Sequence, residues 1–175
     1  MNRITCIVII IILFTSLVWS QQSGKTTKWE QVKFLVGEWT GEGGGQPGVA
    51  AGGSSFTSDL DDHIIVRKNF AEYPAKNGRP AFRHEDLMII YSNPDGTVKA
   101  VYFDNENHVI NYDVDIPDDG SSIVFLSESA EGMPLFRMTY NIVSEDKVTL
   151  SFEIAPSGKI NDLSKYIESS MVRSK

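Results

Sequence analysis

The chain has 175 residues, 16 basic against 23 acidic side chains, a net charge of −7 and a single cysteine. That acidic balance argues against nucleic acid or an anionic membrane surface as a partner, because either needs a basic face. One cysteine excludes an internal disulfide, so the core alone must hold the fold.

Residues 1–20 read as a cleaved secretory signal. Arg3 supplies the positive start, 4–14 is an almost unbroken apolar run, and Val18 and Ser20 suit cleavage before Gln21. A spanning helix wants about 20 apolar residues, and Thr15 and Ser16 interrupt this run before that length. Cys6 sits at the start of the run, not just after it, so a lipid anchor is not expected. The expectation is a secreted or periplasmic protein whose mature chain is cysteine-free, carries a charge of about −8 (15 basic against 23 acidic residues) and does not engage a membrane. Residues 21–27 form a short flexible leader. Residues 28–175 are long enough for one domain, burying about 68–70% of the unfolded chain's surface.

Thr27-Lys28-Trp29-Glu30 is a capping-box pattern. With Trp29, Val32 and Val36 at helical spacing, it predicts a short helix over 28–35. Everything after it alternates. Strands are expected at about 37–44, 54–60, 63–73, 82–92, 97–104, 108–115, 122–128, 135–142, 147–154 and 166–173. Turn residues separate them, among them Asp61-Asp62, Asn77-Gly78, Asn93-Pro94-Asp95-Gly96 and Asp118-Asp119-Gly120. The run Val148, Leu150, Phe152, Ile154 alternates with Thr149, Ser151 and Glu153, as a half-buried strand should. Residues 43–55 are rich in Gly, Ala and Ser and read as a loop; 156–165 is a second connection. Ten short strands in a meander would leave long edges if the sheet were flat. The expected fold is therefore all-β, a closed antiparallel up-and-down barrel of about ten strands capped by a short N-terminal helix.

A meander fixes which strand ends gather together. The helix lies at one end with His63, and the Gly-rich loop lies at the other. The start of strand four (Arg83, His84, Glu85, Asp86), the end of strand five (Asp104) and the start of strand six (His108) meet at the loop end. A three-residue loop, 105–107, pairs Asp104 with His108, Tyr102 with Ile110 and Ala100 with Tyr112, and matches Lys99 with Asp113 on the opposite face. Tyr102, Asp104, His108 and Tyr112 are thus the inward set. Strand four is apolar on both faces, and either His84 and Asp86 or Arg83 and Glu85 points inward.

The segment Gly37-Glu38-Trp39-Thr40-Gly41-Glu42-Gly43, with Pro47 shortly after, resembles the G-x-W-x-G-x-G…P signature of nitrobindin-type haem-binding barrels. More broadly it resembles the G-x-W of lipocalins and their fatty-acid-binding relatives, the calycin type of barrel. The stretch from Arg83 to Tyr112, with Phe152-Glu153-Ile154-Ala155-Pro156, is also similar to a bacterial family of lipocalin-like barrels of unknown function. The resemblance implies that Gly37, Trp39, Gly41 and Gly43 form a structural signature at the closed end. It also implies that a basic residue late in the last strand, here Arg173, packs on Trp39. Nitrobindin-type proteins hold haem iron through a histidine near the C-terminus. Residues 109–175 contain no histidine, so haem is not carried over; Tyr166 is the one alternative axial ligand.

No G-x-S-x-G motif, zinc-spaced histidine pair or nucleotide-binding loop is present. No catalytic residue, metal or cofactor is assigned. The leading expectation is a binding barrel that takes a small, largely apolar ligand into a cavity lined by Phe82 or Met88, Tyr102, Tyr112, Phe125, Met138 and Phe152. The candidate ligand-orienting groups are His84, Asp86, Tyr102, Asp104, His108 and Tyr112. The runner-up is a hydrolase or isomerase of the same fold, with His108 or His84 as general base and Asp104 as its orienter. A haem or metal protein comes third, and a barrel with a fully packed interior that acts only through its surface comes fourth. The same polar residues also suit an inert, hydrogen-bonded rim. Ligand identity and oligomeric state are not legible.

Overall fold

The computed structural model describes residues 26–42, 52–75, 78–129, 131–157, 159 and 161–174. The proposed signal at 1–20, most of the leader, Gly43, Pro47 and most of the Gly-rich loop lie outside the described residues.

Helix α1 (Lys28–Val32) runs into a 3-10 turn (Lys33–Leu35). Thr27 caps it, its hydroxyl accepting from the Glu30 amide at 3.2 Å. Ten strands follow: β1 (Gly37–Glu42), β2 (Gly52–Asp59), β3 (Ile64–Tyr73), β4 (Phe82–Ser92), β5 (Val98–Asp104), β6 (Val109–Asp115), β7 (Ser122–Ser127), β8 (Leu135–Ser144), β9 (Lys147–Ala155) and β10 (Ser164–Arg173). Each pairs antiparallel with its neighbour, and β1 pairs with β10 to close the barrel. Closure removes the two free edges that a ten-stranded meander would otherwise expose. Every expected strand is found. The β5–β6 register is the expected one, with Lys99 opposite Asp113, Ala100 opposite Tyr112 and Tyr102 opposite Ile110.

The helix closes one end. Val32 and Leu35 are fully buried in the barrel core. Lys28 pairs with Asp115 at the end of β6, and Trp29 Nε1 donates to the Asp62 carbonyl at 3.2 Å in the β2–β3 turn. That turn places Leu60, Asp61 and Asp62 all at positive φ, with His63 beside them at the helix end.

Trp39 forms the floor beneath the helix. Its ring N–H donates to the Leu35 carbonyl at 2.8 Å, and the ring is 2% exposed. The Arg173 guanidinium lies 4.3 Å from the ring centroid and donates to the carbonyls of Val36 (2.7 Å) and Phe34 (2.9 Å). This is the contact implied by the lipocalin resemblance. Gly37 leaves room for it: φ is +132°, and a Cβ there would come within 2.7 Å of Arg173 Nη1. Gly37→Ala should therefore cost about 1–3 kcal/mol, from a strained backbone and a displaced guanidinium. Chemical denaturation of the variant checks this; a loss below measurement error would show that Arg173 can swing aside freely. Gly41 lies farther along β1, where a Cβ would sit 3.4 Å from the Gly52 carbonyl oxygen, at the border of ordinary contact.

Above the floor the interior is packed with side chains. Ile65, Met88, Ile90, Ile123, Phe125 and Val148 are fully buried. A file of edge-on aromatic contacts crosses the barrel, from Tyr102 to Tyr112 (6.4 Å), Phe125 (6.3 Å), Tyr140 (6.0 Å) and Phe56 (5.8 Å).

Candidate functional site

The site is a column of polar side chains rising from the middle of the barrel to the end opposite the helix. Its positions follow from strand period. On β3, Arg67 and Asn69 share the inner face with Ile65. On β4, Met88 is fully buried, so Asp86 and His84 face inward above it, and Arg83 and Glu85 face out. The phase that the alternation of β4 left open is thus settled by the structure.

At the base, Arg67 and Asp86 form an ion pair with both side chains 3% exposed, Nη1 to Oδ1 at 2.8 Å. Burial alone would lower the Arg67 pKa; the Asp86 charge outweighs it and keeps the guanidinium firmly charged. Asn69 donates to the other Asp86 oxygen at 2.6 Å and accepts from the Ser54 hydroxyl at 2.7 Å. Two buried side-chain polar atoms have no hydrogen-bond partner among the described residues: Arg67 Nε and the Tyr140 hydroxyl. They belong to one electrostatic neighbourhood, since Arg67 and Asp86 both act on the Tyr140 phenol.

One rung higher, His84 Nε2 lies 3.3 Å from Asp86 Oδ2 and 3.3 Å from the Tyr102 hydroxyl. Its Nδ1 lies 2.8 Å from Glu106 Oε1. Asp86 raises the His84 pKa above its ordinary value against the opposing pull of burial, and Glu106 adds to the rise. Burial raises the phenol pKa values of Tyr102 and Tyr112, with the Asp86 and Asp104 charges adding to it, so both phenols remain protonated donors.

Asp104 and His108 stand at the mouth. Asp104 Oδ1 accepts from the amides of Glu106 and His108, both at 2.9 Å. Its Oδ2 accepts from the Tyr102 hydroxyl at 3.1 Å and meets His108 Nδ1 at 2.8 Å. Burial would raise the Asp104 pKa; the His108 amide and ring, with the Glu106 amide, reverse this and hold it below the usual carboxylate range. His108 itself is 60% exposed, so it edges the mouth instead of lining the interior. A carboxylate holding Nδ1 of an exposed imidazole is the geometry of an oriented histidine.

The opposite wall of the mouth is aromatic. Phe136 and Phe152 stack at 5.9 Å, and Tyr166 meets Phe152 edge-on at 6.4 Å. A register shift between Lys165 and Ile167 sets Tyr166 apart from the β9–β10 pairing. On the polar side, Tyr73 and Phe82 stack at 6.2 Å. Two shallow grooves of about 490 and 350 Å³ lie on the outside of the barrel, the first over β1–β4 and the second over β3–β5.

The structure joins five of the six ligand-site candidates, His84, Asp86, Tyr102, Asp104 and His108, in one hydrogen-bonded column. Tyr112 stands beside it, 2% exposed, in the aromatic file below Tyr102. Sequence reasoning missed Arg67, Asn69, Ser54 and Tyr140. β3 gave no signal for the first two, because Ile64-Ile65-Val66 is apolar on both faces.

No family model matches the chain. No curated protein matches it either. Among solved structures it is similar to the crystal structure of Rv2717c from M. tuberculosis, with a TM-score of 0.55 at 14% identity over 82% of this chain and 95% of that one. At that identity the likeness shows the barrel fold alone.

Proposed function

We propose that this chain is an exported, lipocalin-like barrel that binds one small, largely apolar molecule through its open end. The reading is carried by the two unpartnered buried atoms, Arg67 Nε and the Tyr140 hydroxyl. A buried polar group left without a hydrogen bond costs about 1–3 kcal/mol. Both belong to the interior polar neighbourhood, with an aromatic mouth of Phe82, Phe136, Phe152 and Tyr166 above it. An apolar wall with a few convergent polar groups is the usual make-up of a small-molecule site. Arg67 is 3% exposed, so a ligand reaching Nε–H must displace packed side chains; with Asp86 already neutralising the guanidinium, the group that fits is a neutral acceptor such as a carbonyl or ether oxygen. His84, Asp104 and His108 would orient the ligand's outer end.

The Trp39–Arg173 contact supports the lipocalin-like assignment, and the 1–20 segment supports export. The acidic mature chain supports a partner that is neither nucleic acid nor membrane. Haem is not proposed, for want of a histidine in 109–175.

Native mass spectrometry of the protein purified from its own source tests the reading. The expected spectrum shows a chain beginning at Gln21 together with a non-covalently bound small molecule in one-to-one ratio. Ligand-free protein under conditions gentle enough to preserve such complexes would reject the binding role. A chain retaining 1–20 would reject cleavage before Gln21.

A further inference from the structure

The geometry points to a divalent transition-metal site on the rim of the open end, with His84, Asp104 and Glu106 as its protein ligands. It does not depend on the barrel holding an organic ligand. One donor atom from each of the three residues lies within 4.8 Å of the other two. Metal–nitrogen and metal–oxygen bonds of about 2.0–2.2 Å bring neighbouring ligand atoms to roughly 3–3.5 Å. Movements of side-chain tips by an ångström or two would close the shell.

Three features orient the donors before any ion arrives. His84 is backed by a carboxylate: Nε2 faces Asp86 Oδ2 at 3.3 Å, and Asp86 is itself held by Arg67 and Asn69. Histidine ligands to metals are commonly held this way, the far ring N–H donating to a carboxylate while the near nitrogen takes the metal. With the proton on Nε2, Nδ1 presents a lone pair to Glu106 Oε1 only 2.8 Å away. A metal ion would take the place that a proton on Nδ1 otherwise fills between these two atoms. Finally, the amides of Glu106 and His108 pin Asp104 Oδ1, which fixes Oδ2 on the Tyr102 side.

Charge points the same way. Arg67 cancels Asp86, which leaves the Asp104 and Glu106 carboxylates with two imidazoles, His84 on Glu106 and the exposed His108 on Asp104 Oδ2, which would turn away as the ion binds. An imidazole donor favours a first-row transition ion over magnesium or calcium, which take oxygen ligands. Three protein ligands leave further positions for water or a bound molecule. The site has no sequence motif because its ligands come from β4, the end of β5 and the 105–107 turn.

Cobalt(II) is the probe, added to the processed protein and followed by its visible absorption. One equivalent should bind, be displaced by Zn²⁺, and be unaffected by excess Mg²⁺. Glu106→Gln and His84→Gln should each weaken binding at least about tenfold, while His63→Gln, at the helix end, leaves it unchanged. Glu106 is a half-exposed turn residue, so its variant should keep the circular dichroism of the parent. The absence of saturable one-to-one binding overturns the site. So does binding that survives both the Glu106 and the His84 substitutions.

Discussion

Asp86→Leu should destabilise the fold by about 3–5 kcal/mol, the cost of stranding one partner of a buried ion pair. The carboxylate has two strong donors, Arg67 Nη1 at 2.8 Å and Asn69 Nδ2 at 2.6 Å, and His84 lies close by. Its loss leaves a guanidinium that is 97% buried, already short of one partner at Nε, without its counter-charge. The double change Arg67→Met with Asp86→Leu removes both charges and replaces them with apolar volume. It should recover most of the loss, leaving a coupling of at least about 2 kcal/mol in a double-mutant cycle. Urea denaturation of the four proteins reads this directly. A coupling near zero would mean that the Arg67 charge finds other stabilisation, and the central place given to the pair would fall. The experiment also bears on function. Should the parent protein carry a co-purifying ligand and the double variant fold well without it, the pair is present for the site and not for stability.

The strands were legible because their chemistry is local. Alternation such as Val148, Leu150, Phe152, Ile154 marks a half-buried strand whatever it packs against, and the turn residues between runs set the meander that closes. The β5–β6 register was legible for the same reason: Lys99 and Asp113 face each other only if the turn holds three residues. The members of the polar column were legible as strand ends that gather together, but not which face of β4 turns inward, since that strand is apolar on both faces, nor how its acids are accommodated. Asp86 lies directly opposite Asp104 across β4 and β5. Two carboxylates in one rung count against a register when only the pair is weighed. The barrel tolerates them because each has its own donors, Arg67 and Asn69 for Asp86, two amides and a tyrosine for Asp104. Arg67 was equally hidden. The run Ile64-Ile65-Val66 is apolar on both faces, so nothing in β3 alone says which phase carries the arginine inward. A buried cation becomes expected only once a buried anion is known, and that anion sits on the neighbouring strand. His84, Asp104 and Glu106 converge for a related reason: the 105–107 turn folds Glu106 back toward β4, a movement that spacing along the chain does not express.

At the closed end, Trp39→Ala should cost about 3–5 kcal/mol, the loss typical of a large aromatic removed from a core. The ring is 2% exposed, its N–H holds the Leu35 carbonyl at 2.8 Å, and Arg173 lies across its face at 4.3 Å. Removing it does three things together. A cavity opens under the helix, the Leu35 carbonyl loses its donor, and Arg173 loses the surface on which it rests. Trp39→Phe separates these effects. It keeps most of the apolar volume and a weaker cation–π face but not the N–H, so its loss should be smaller by about 1–2 kcal/mol. Arg173→Ala should cost less than Trp39→Ala, and the two should be less than additive because they share one contact. Thermal unfolding of the three single variants and the Trp39→Ala, Arg173→Ala pair checks the order. Strict additivity would mean that the guanidinium is held by its other partners, the Phe34, Val36 and Glu145 carbonyls among them, and the floor would then be two independent contacts in place of one clamp. The open-end column lies several rungs away, so none of these variants should alter Co²⁺ binding while the protein remains folded. That separation is what the polarity of the barrel requires: one end given to stability, the other free to carry chemistry.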